Sequence, residues 1–101
     1  MTYEAAITAL ADPTRRRLFE RLRRRPHAVG ELTRYARVSQ PAVSQHLRVL
    51  RRAGLVRSRA DGARRLYEPD LAGIAALRAY LDRMWRDVLT AYARSFDEDP
   101  K

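Results

Sequence analysis

Hydrophobic side chains recur every three or four positions over most of the chain, and this spacing predicts a mainly helical protein. Five segments carry the pattern, separated by proline, glycine or short polar stretches. The predicted helices cover about residues 5–10, 13–25, 29–35, 39–52 and 70–96. Asp12, Ser39 and Asp70 are the expected N-caps of the second, fourth and fifth helices, because their side chains can accept hydrogen bonds from free amides.

The pattern changes between the fourth and fifth helices. Residues 55–60 and 63–68 have the shorter period of strands, and Asp61-Gly62 between them is a type I′ turn signal. We therefore predict an antiparallel hairpin at this position. The whole chain is predicted to form one mainly α (α+β) domain with the element order α-α-α-α-β-β-α.

The predicted fourth helix has one apolar face and one polar face. Val43, Leu47 and Leu50 follow helical spacing and are expected to point inward. The opposite face carries small polar side chains and one arginine, namely Gln40, Ser44, Gln45 and Arg48. A helix with a slim polar face can enter the major groove of DNA, where such side chains hydrogen-bond to base edges. Together with the hairpin, this indicates a winged helix-turn-helix.

We assign DNA contact to the start and outer face of the fourth helix and to the arginines of the hairpin. The assigned helix residues are Ser39, Gln40, Pro41, Ala42, Ser44, Gln45 and Arg48. The assigned hairpin residues are Arg57, Arg59, Arg64 and Arg65. We expect the helix to select bases, with Ala42 against a thymine methyl group. The hairpin arginines are expected to contact the DNA backbone or minor groove and to add affinity more than base choice.

The charge of the chain is unevenly distributed. The formal net charge is +9, yet residues 1–69 contain 16 arginines and 6 acidic residues, whereas residues 70–101 contain 5 basic and 6 acidic residues. Arginines that neutralise phosphates release counterions, so the basic part of the chain suits nucleic acid. An arginine-rich solvated surface explains the same composition, and the run Arg23-Arg24-Arg25 is open to both interpretations.

The predicted fifth helix has a broad apolar side that a small domain cannot cover by itself. A second copy of the chain would supply the missing surface, and symmetry would then place two recognition helices roughly 34 Å apart, one turn of DNA. The expected dimer contacts are Ile7, Leu10, Leu77, Leu81, Met84, Trp85, Val88 and Tyr92. The alternative use of the stripe around Trp85 is a pocket for a small molecule.

Composition argues against several other classes of protein. The chain has no cysteine, which excludes disulfides and thiolate zinc sites. The first residues lack a secretion signal and no apolar run could span a membrane, so we expect a cytoplasmic protein. Neither histidine has a catalytic partner in the pattern: His27 is expected to be exposed and His46 partly buried. We predict no enzyme activity, no cofactor and no membrane partner.

Four segments of the chain closely resemble the arsenic-repressor (ArsR/SmtB) family. They are Ala9–Arg15, Val29–Leu32, Val38–Leu50 and Ala53–Val56, and they stand in the family's order and spacing. The resemblance implies a dimer whose recognition helices enter successive major grooves of an operator and repress transcription by occupying a promoter. By position, the recognition helix begins here at Ser39.

The chain departs from the metal-sensing members of that family. Thr33 and Tyr35 stand where many members have a Cys-x-Cys pair. The terminal helix carries only Asp82 and Asp87 where other members place carboxylates and histidines, and no histidine follows His46. Carboxylates without imidazole or thiolate bind transition metals poorly, so the chain is similar to the metal-independent members.

These observations predict a sequence-specific transcriptional regulator that binds double-stranded DNA as a homodimer. We expect about residues 13–69 to form the DNA-binding head, residues 1–12 and 70–96 to form the dimerisation helices, and residues 97–101 to form a tail. Two alternatives stay open: a sensor with an organic effector at the dimer seam, and a winged-helix module that docks an acidic protein partner.

Overall fold

The computed structural model describes residues 2–97 and contains five helices and one hairpin. The elements are α1 (Tyr3–Ala11), α2 (Pro13–Leu22), α3 (Val29–Ala36), α4 (Gln40–Arg52), β1 (Val56–Asp61), β2 (Arg64–Pro69) and α5 (Leu71–Asp97). Their order confirms the predicted α-α-α-α-β-β-α arrangement. Asp97 is the last residue of α5, whereas residues 98–101 of the predicted tail lie outside the described residues.

All three predicted N-caps are confirmed. The side chain of Asp12 accepts a hydrogen bond from the Arg15 amide at 3.0 Å, and the Ser39 hydroxyl accepts one from the Ala42 amide at 3.2 Å. Asp70 likewise accepts a hydrogen bond from the Ala72 amide at 3.1 Å. Each bond satisfies one of the amides that a helix start leaves without an intrahelical partner, so the starts of α2, α4 and α5 are fixed locally.

The end of α2 was predicted wrongly. The helix stops at Leu22 instead of Arg25, because the chain leaves it to pair with β2. The His27 amide donates to the Tyr67 carbonyl at 3.1 Å, and the Tyr67 amide donates back to the His27 carbonyl at 2.8 Å. His27, expected to be exposed, is buried at this bridge: the residue is only 3% accessible.

The hairpin is present, but its turn is displaced by one residue from the prediction. Asp61 pairs with Arg64, so the turn residues are Gly62 and Ala63 rather than Asp61 and Gly62. Gly62 has a φ of 63°, and Ala63 does not have a positive φ. A type I′ turn needs positive φ at both central positions, so this turn has the φ pattern of type II′ instead.

The core lies where α2, α3, α4 and the start of β1 meet. Its largest fully buried side chains are Leu18, Leu22, Leu32, Leu47, Leu50, Leu55 and Val43. Ala6 and Ala9 of α1 are buried against the same core, so this short helix is part of the packed domain. Burial of each large aliphatic side chain contributes about 1.5–3 kcal/mol, which makes this cluster the main stabilising feature of the head.

A close contact between two glycines joins the end of α4 to the start of α5. Gly54 has a φ of 80° and terminates α4, with the Leu55 amide donating to the Leu50 carbonyl and the Gly54 amide donating to the Arg51 carbonyl, both at 3.0 Å. This is the Schellman arrangement. A Cβ on Gly73 would lie 1.6 Å from the Gly54 carbonyl oxygen, so only glycine permits α5 to approach this closely.

The second half of α5 extends away from the rest of the domain. Every residue from 81 to 97 is exposed, and the described chain measures 67 × 24 × 21 Å along its principal axes. The start of the helix is held by α1, since the rings of Tyr3 and Tyr80 stack with centroids 4.0 Å apart. Among residues 2–97, no helix is long and apolar enough to cross a membrane.

Candidate nucleic-acid interface

The orientation of α4 follows from its buried face. Val43 and Leu50 are completely buried and Leu47 is 1% accessible, which fixes the rotation of the helix about its own axis. The opposite face therefore points to solvent: Ser39, Gln40, Pro41, Gln45 and Arg48 are exposed, and Ala42 and Ser44 are half-buried. All seven predicted contact residues of this helix thus lie together at its start and along one outer side.

Gln45 and Arg48 act as a pair on this face. An Nη1 hydrogen of Arg48 donates to Oε1 of Gln45, one turn earlier in the helix. The bond restricts both of these flexible, exposed side chains, so less conformational entropy would be lost if they bound a base edge. It also leaves the remaining guanidinium hydrogens of Arg48 available for acceptors on guanine or phosphate.

The turn between α3 and α4 is tight and contains an unusual backbone conformation. Arg37 has a φ of 59° and lies in the left-handed region, and its amide donates to the Thr33 carbonyl at 3.1 Å. Ser39 then caps α4 two residues later. A short left-handed turn of this kind lets two helices pack closely across the turn, as a helix-turn-helix requires.

The four arginines of the hairpin do not share one face. Residues that pair directly across two antiparallel strands lie on the same side, so the register places Arg57, Arg59 and Arg64 on one face of the sheet. Arg65 lies on the other face, where its guanidinium donates to the Ser58 hydroxyl at 3.1 and 3.3 Å. The alternation of side chains makes it impossible for all four to contact one surface of DNA in the same way.

Glu68 holds two of these arginines in place. Its Oε2 lies 2.9 Å from Nε of Arg57, and its Oε1 lies 3.2 Å from Nε of Arg59. The hydrogen bond from Arg59 is the main reason that the pKa of Glu68 lies below its ordinary value. The shared carboxylate offsets part of the positive charge of the hairpin and fixes where the two guanidinium groups point.

Two exposed residues at the end of α4 were not included in the predicted interface. Arg51 and Arg52 follow Arg48 by three and four positions, and the three side chains line a shallow depression of about 270 Å³. Helical spacing from Arg48 was the signal that could have identified them. Together with Arg48, they make the exposed side of α4 basic over its last turns.

The predicted dimer contacts divide into two groups. Ile7 of α1 is 45% accessible, and the α5 residues Leu81, Met84, Trp85, Val88 and Tyr92 are between 44% and 62% accessible. Leu10 and Leu77 are instead half-buried and pack against the core of the domain. Leu89 and Phe96, also exposed, extend the same apolar stripe of α5.

The described residues contain no cluster of three or more histidine, cysteine, aspartate or glutamate side chains that could hold a metal ion. The hydroxyl of Thr33 donates to the Val29 carbonyl at 2.8 Å, and Tyr35 packs beneath arginine side chains of α2. His46 is half-buried as predicted, and its Nδ1 is enclosed without a hydrogen-bond partner in the described part of the chain.

A helix-turn-helix followed by a two-stranded hairpin defines the winged helix-turn-helix class of DNA-binding proteins. Residues 12–58 match the family described as "Bacterial regulatory protein, arsR family". The chain is also 54% identical to the HTH-type transcriptional regulator Rv2034 of Mycobacterium tuberculosis, over 95% of this chain and 90% of that protein. The chain therefore belongs to the ArsR family, which confirms the resemblance found in the sequence.

Solved structures agree with this assignment. An ArsR-like transcriptional regulator from Rhodococcus sp. RHA1 superposes with a TM-score of 0.77 at 27% identity, covering 91% of this chain and 90% of the other. A second ArsR family transcriptional regulator gives a TM-score of 0.72 at 30% identity, covering 82% and 86% of the two chains. The protein is thus a DNA-binding transcriptional regulator and not an enzyme.

Proposed function

We propose that the protein represses transcription by occupying a palindromic promoter operator as a homodimer, without a metal-sensing site. The observation that carries this proposal is the orientation of α4, whose buried apolar face leaves a slim polar face with Gln45 and Arg48 exposed. Such a face fits the major groove, where a paired glutamine and arginine can hydrogen-bond to adenine and guanine.

The homodimer is supported by the unpartnered part of α5. Trp85 and Tyr92 are each 62% accessible and lie on one stripe of a helix that projects beyond the domain. Large aromatic side chains are rarely left in water in such a row, whereas they are common at interfaces between subunits. Two α5 helices packed together would bury this stripe and relate the two copies of α4 by a twofold axis.

A regulator of this kind must share a compartment with the chromosome, so we also propose a cytoplasmic location. Positions 33 and 35 hold Thr33 and Tyr35 instead of metal-binding cysteines, which supports a metal-independent mode of action. The hydroxyl of Thr33 is moreover hydrogen-bonded to the Val29 carbonyl within α3. Repression would then depend on occupancy of the promoter by the dimer rather than on release of a metal ion.

The separate roles proposed for α4, which selects bases, and for the hairpin, which adds affinity, can be tested by substitution. Gln45→Ala or Arg48→Ala is expected to reduce the preference for operator over random duplex by about 1–3 kcal/mol, because each removes a contact to a base. Arg64→Ala, in the hairpin, is expected to weaken both duplexes alike. The operator is first selected from random DNA by the purified protein, and affinities are then measured by mobility shift at one salt concentration.

The Gln45 and Arg48 substitutions are also combined. Because the two side chains are hydrogen-bonded to one another, the losses of the double variant are expected to be less than additive. Equal losses on operator and random DNA for Gln45→Ala, Arg48→Ala and Arg64→Ala would reject the proposed roles.

A further inference from the structure

A second concentration of positive charge lies between α2 and α3, apart from the predicted DNA contacts on α4 and the hairpin. It forms an open cleft of about 350 Å³ that we name the α2–α3 cleft, lined by Arg21, Arg25, His27, Glu31, Arg34 and Tyr35. Three of these six side chains are arginines and only one is a carboxylate. The volume lies at the lower end of the range found for small-ligand sites.

A cation–π contact with Tyr35 positions Arg21 in the α2 wall of the cleft. The guanidinium carbon of Arg21 lies 4.7 Å from the centroid of the Tyr35 ring, and that of Arg17 lies 5.6 Å from it. A guanidinium group over the face of an aromatic ring is attracted by the negative π face of that ring. Arg21, which lines the cleft, is thereby restricted before an anion binds and has less entropy to lose on binding.

The carboxylate of Glu31 in the cleft already has bonding partners on both of its oxygens. Oε1 of Glu31 accepts from the Ala28 amide at 2.9 Å, and Oε2 lies 3.2 Å from Nη2 of Arg25. Among residues 2–97, neither Arg21 nor Arg34 forms an ion pair with a carboxylate. Two guanidinium groups on opposite walls therefore keep their charge without a partner of opposite sign.

We propose that the α2–α3 cleft binds a phosphate group, with Arg21 and Arg34 as its ligands. Arginine donates two parallel hydrogen bonds to phosphate oxygens, and a tetrahedral phosphate can accept from two guanidinium groups at once. The phosphate has two sources: a small phosphorylated molecule free in solution, or a backbone phosphate of the bound DNA. The claim concerns α2 and α3 and stands independently of base recognition by α4.

The first experiment uses pyrophosphate and no DNA. The full chain is titrated by isothermal calorimetry at an ionic strength held constant with sodium chloride, and saturable binding is expected. Arg21→Gln/Arg34→Gln is expected to weaken it at least about tenfold, because bonds between guanidinium and phosphate are charge-assisted. Arg83→Gln/Arg86→Gln removes the same charge from exposed residues of α5 outside the cleft and should change the affinity less than about twofold.

The second experiment tests whether the phosphate bound in the cleft is a backbone phosphate of DNA. The affinity of each protein for a random duplex of about 30 base pairs is measured over a range of salt concentrations. If the cleft holds a backbone phosphate, the cleft variant lowers the slope of log affinity against log salt by about 1, and the control variant lowers it less. Circular dichroism verifies that all variants keep their helices.

A loss confined to the cleft variant in either experiment supports the proposal. A lowered salt slope assigns the phosphate to DNA, and a loss of pyrophosphate binding without a change in slope assigns it to a free molecule. Equal behaviour of the cleft and control variants in both experiments would overturn it. Failure of Gln45→Ala or Arg48→Ala to affect base preference would leave this result unchanged, since pyrophosphate binding is measured without DNA.

Discussion

At the scale of single residues, Gly54 at the end of α4 and Gly73 in the first turn of α5 are both positions that require glycine. Gly54 needs its positive φ to end α4, and Gly73 needs to have no Cβ because the Gly54 carbonyl occupies that space. The contact is between two stretches of backbone, and backbone cannot move aside as the end of a flexible side chain can. A single added methyl group therefore has a large expected effect at one of these positions.

Gly73→Ala is expected to lower the free energy of unfolding by about 1–3 kcal/mol or more, because the added Cβ forces α5 away from the end of α4. Gly30→Ala is the matched control: its nearest neighbour would be Nη1 of Arg34 at 3.8 Å, an ordinary contact. That substitution should raise stability by up to about 0.5–1 kcal/mol, since alanine favours helix. Urea denaturation at one protein concentration measures both, and equal effects would contradict the assigned contact.

At the scale of elements, the hairpin depends on one carboxylate that serves two arginines. Glu68 lies between Arg57 and Arg59 on the same face of the sheet, and its side chain is only 14% accessible. The pair of ion contacts holds β1 and β2 together near the base of the hairpin, where the strands leave the core. Loss of the negative charge would remove that link and leave two arginines close together without a counter-charge.

Stability is therefore expected to depend on Glu68 and on pH. The pKa of Glu68 lies below 4.5 in the folded protein, mainly because of the bond from Arg59. The stabilisation is then fully present above the ordinary glutamate pKa and is lost as the pH falls through the folded-state value. Wild type should exceed Glu68→Gln in melting temperature at pH 7, and the difference should shrink in acid.

Glu20→Gln is the control for this measurement. Glu20 is an exposed glutamate of α2 that forms no ion pair within the described part of the chain. Its substitution should change the melting temperature little at any pH, because an exposed carboxylate without a partner contributes little. If the difference between wild type and Glu68→Gln does not depend on pH, the carboxylate has no such role.

The same elements show which features of the fold and of the candidate site could be predicted from the sequence alone. The start of α4 was predicted correctly because the cap at Ser39 and the period of its apolar residues are local signals. The end of α2 and the burial of His27 were not, since both depend on pairing with Tyr67, which lies 40 positions further along the chain. The separation of Arg65 from the other hairpin arginines likewise depends on a register that a shift of one residue reverses.

At the scale of the whole molecule, α5 gives the chain its elongated form. The helix has 27 residues, which corresponds to about 40 Å, and only its first part packs against the head. Its exposed apolar residues recur at helical spacing and form one stripe. In the projecting part of the helix, Arg83, Arg86, Asp87 and Arg94 lie on the side opposite the stripe, as expected if a second α5 covers it.

Trp85→Glu is expected to weaken the proposed dimer at least about tenfold, because it places a charge in the middle of the buried stripe. Thr90→Glu adds the same charge near the opposite side of the helix and should leave association unchanged. Sedimentation velocity over a range of concentrations measures both. A wild-type protein that sediments as a monomer at every concentration would reject the dimer, and equal behaviour of the two variants would reject this stripe as its interface.

The contact between Gly54 and Gly73 has a consequence for how the protein meets its operator. Since the backbone at the end of α4 lies directly against the backbone in the first turn of α5, a displacement of one helix end is transmitted to the other. In the proposed dimer, the distance between the two copies of α4 would therefore change little. Inserting one base pair at the centre of the palindrome rotates one half-site by about 35° relative to the other. A dimer that holds its two α4 helices at a fixed separation could not contact both half-sites after this rotation.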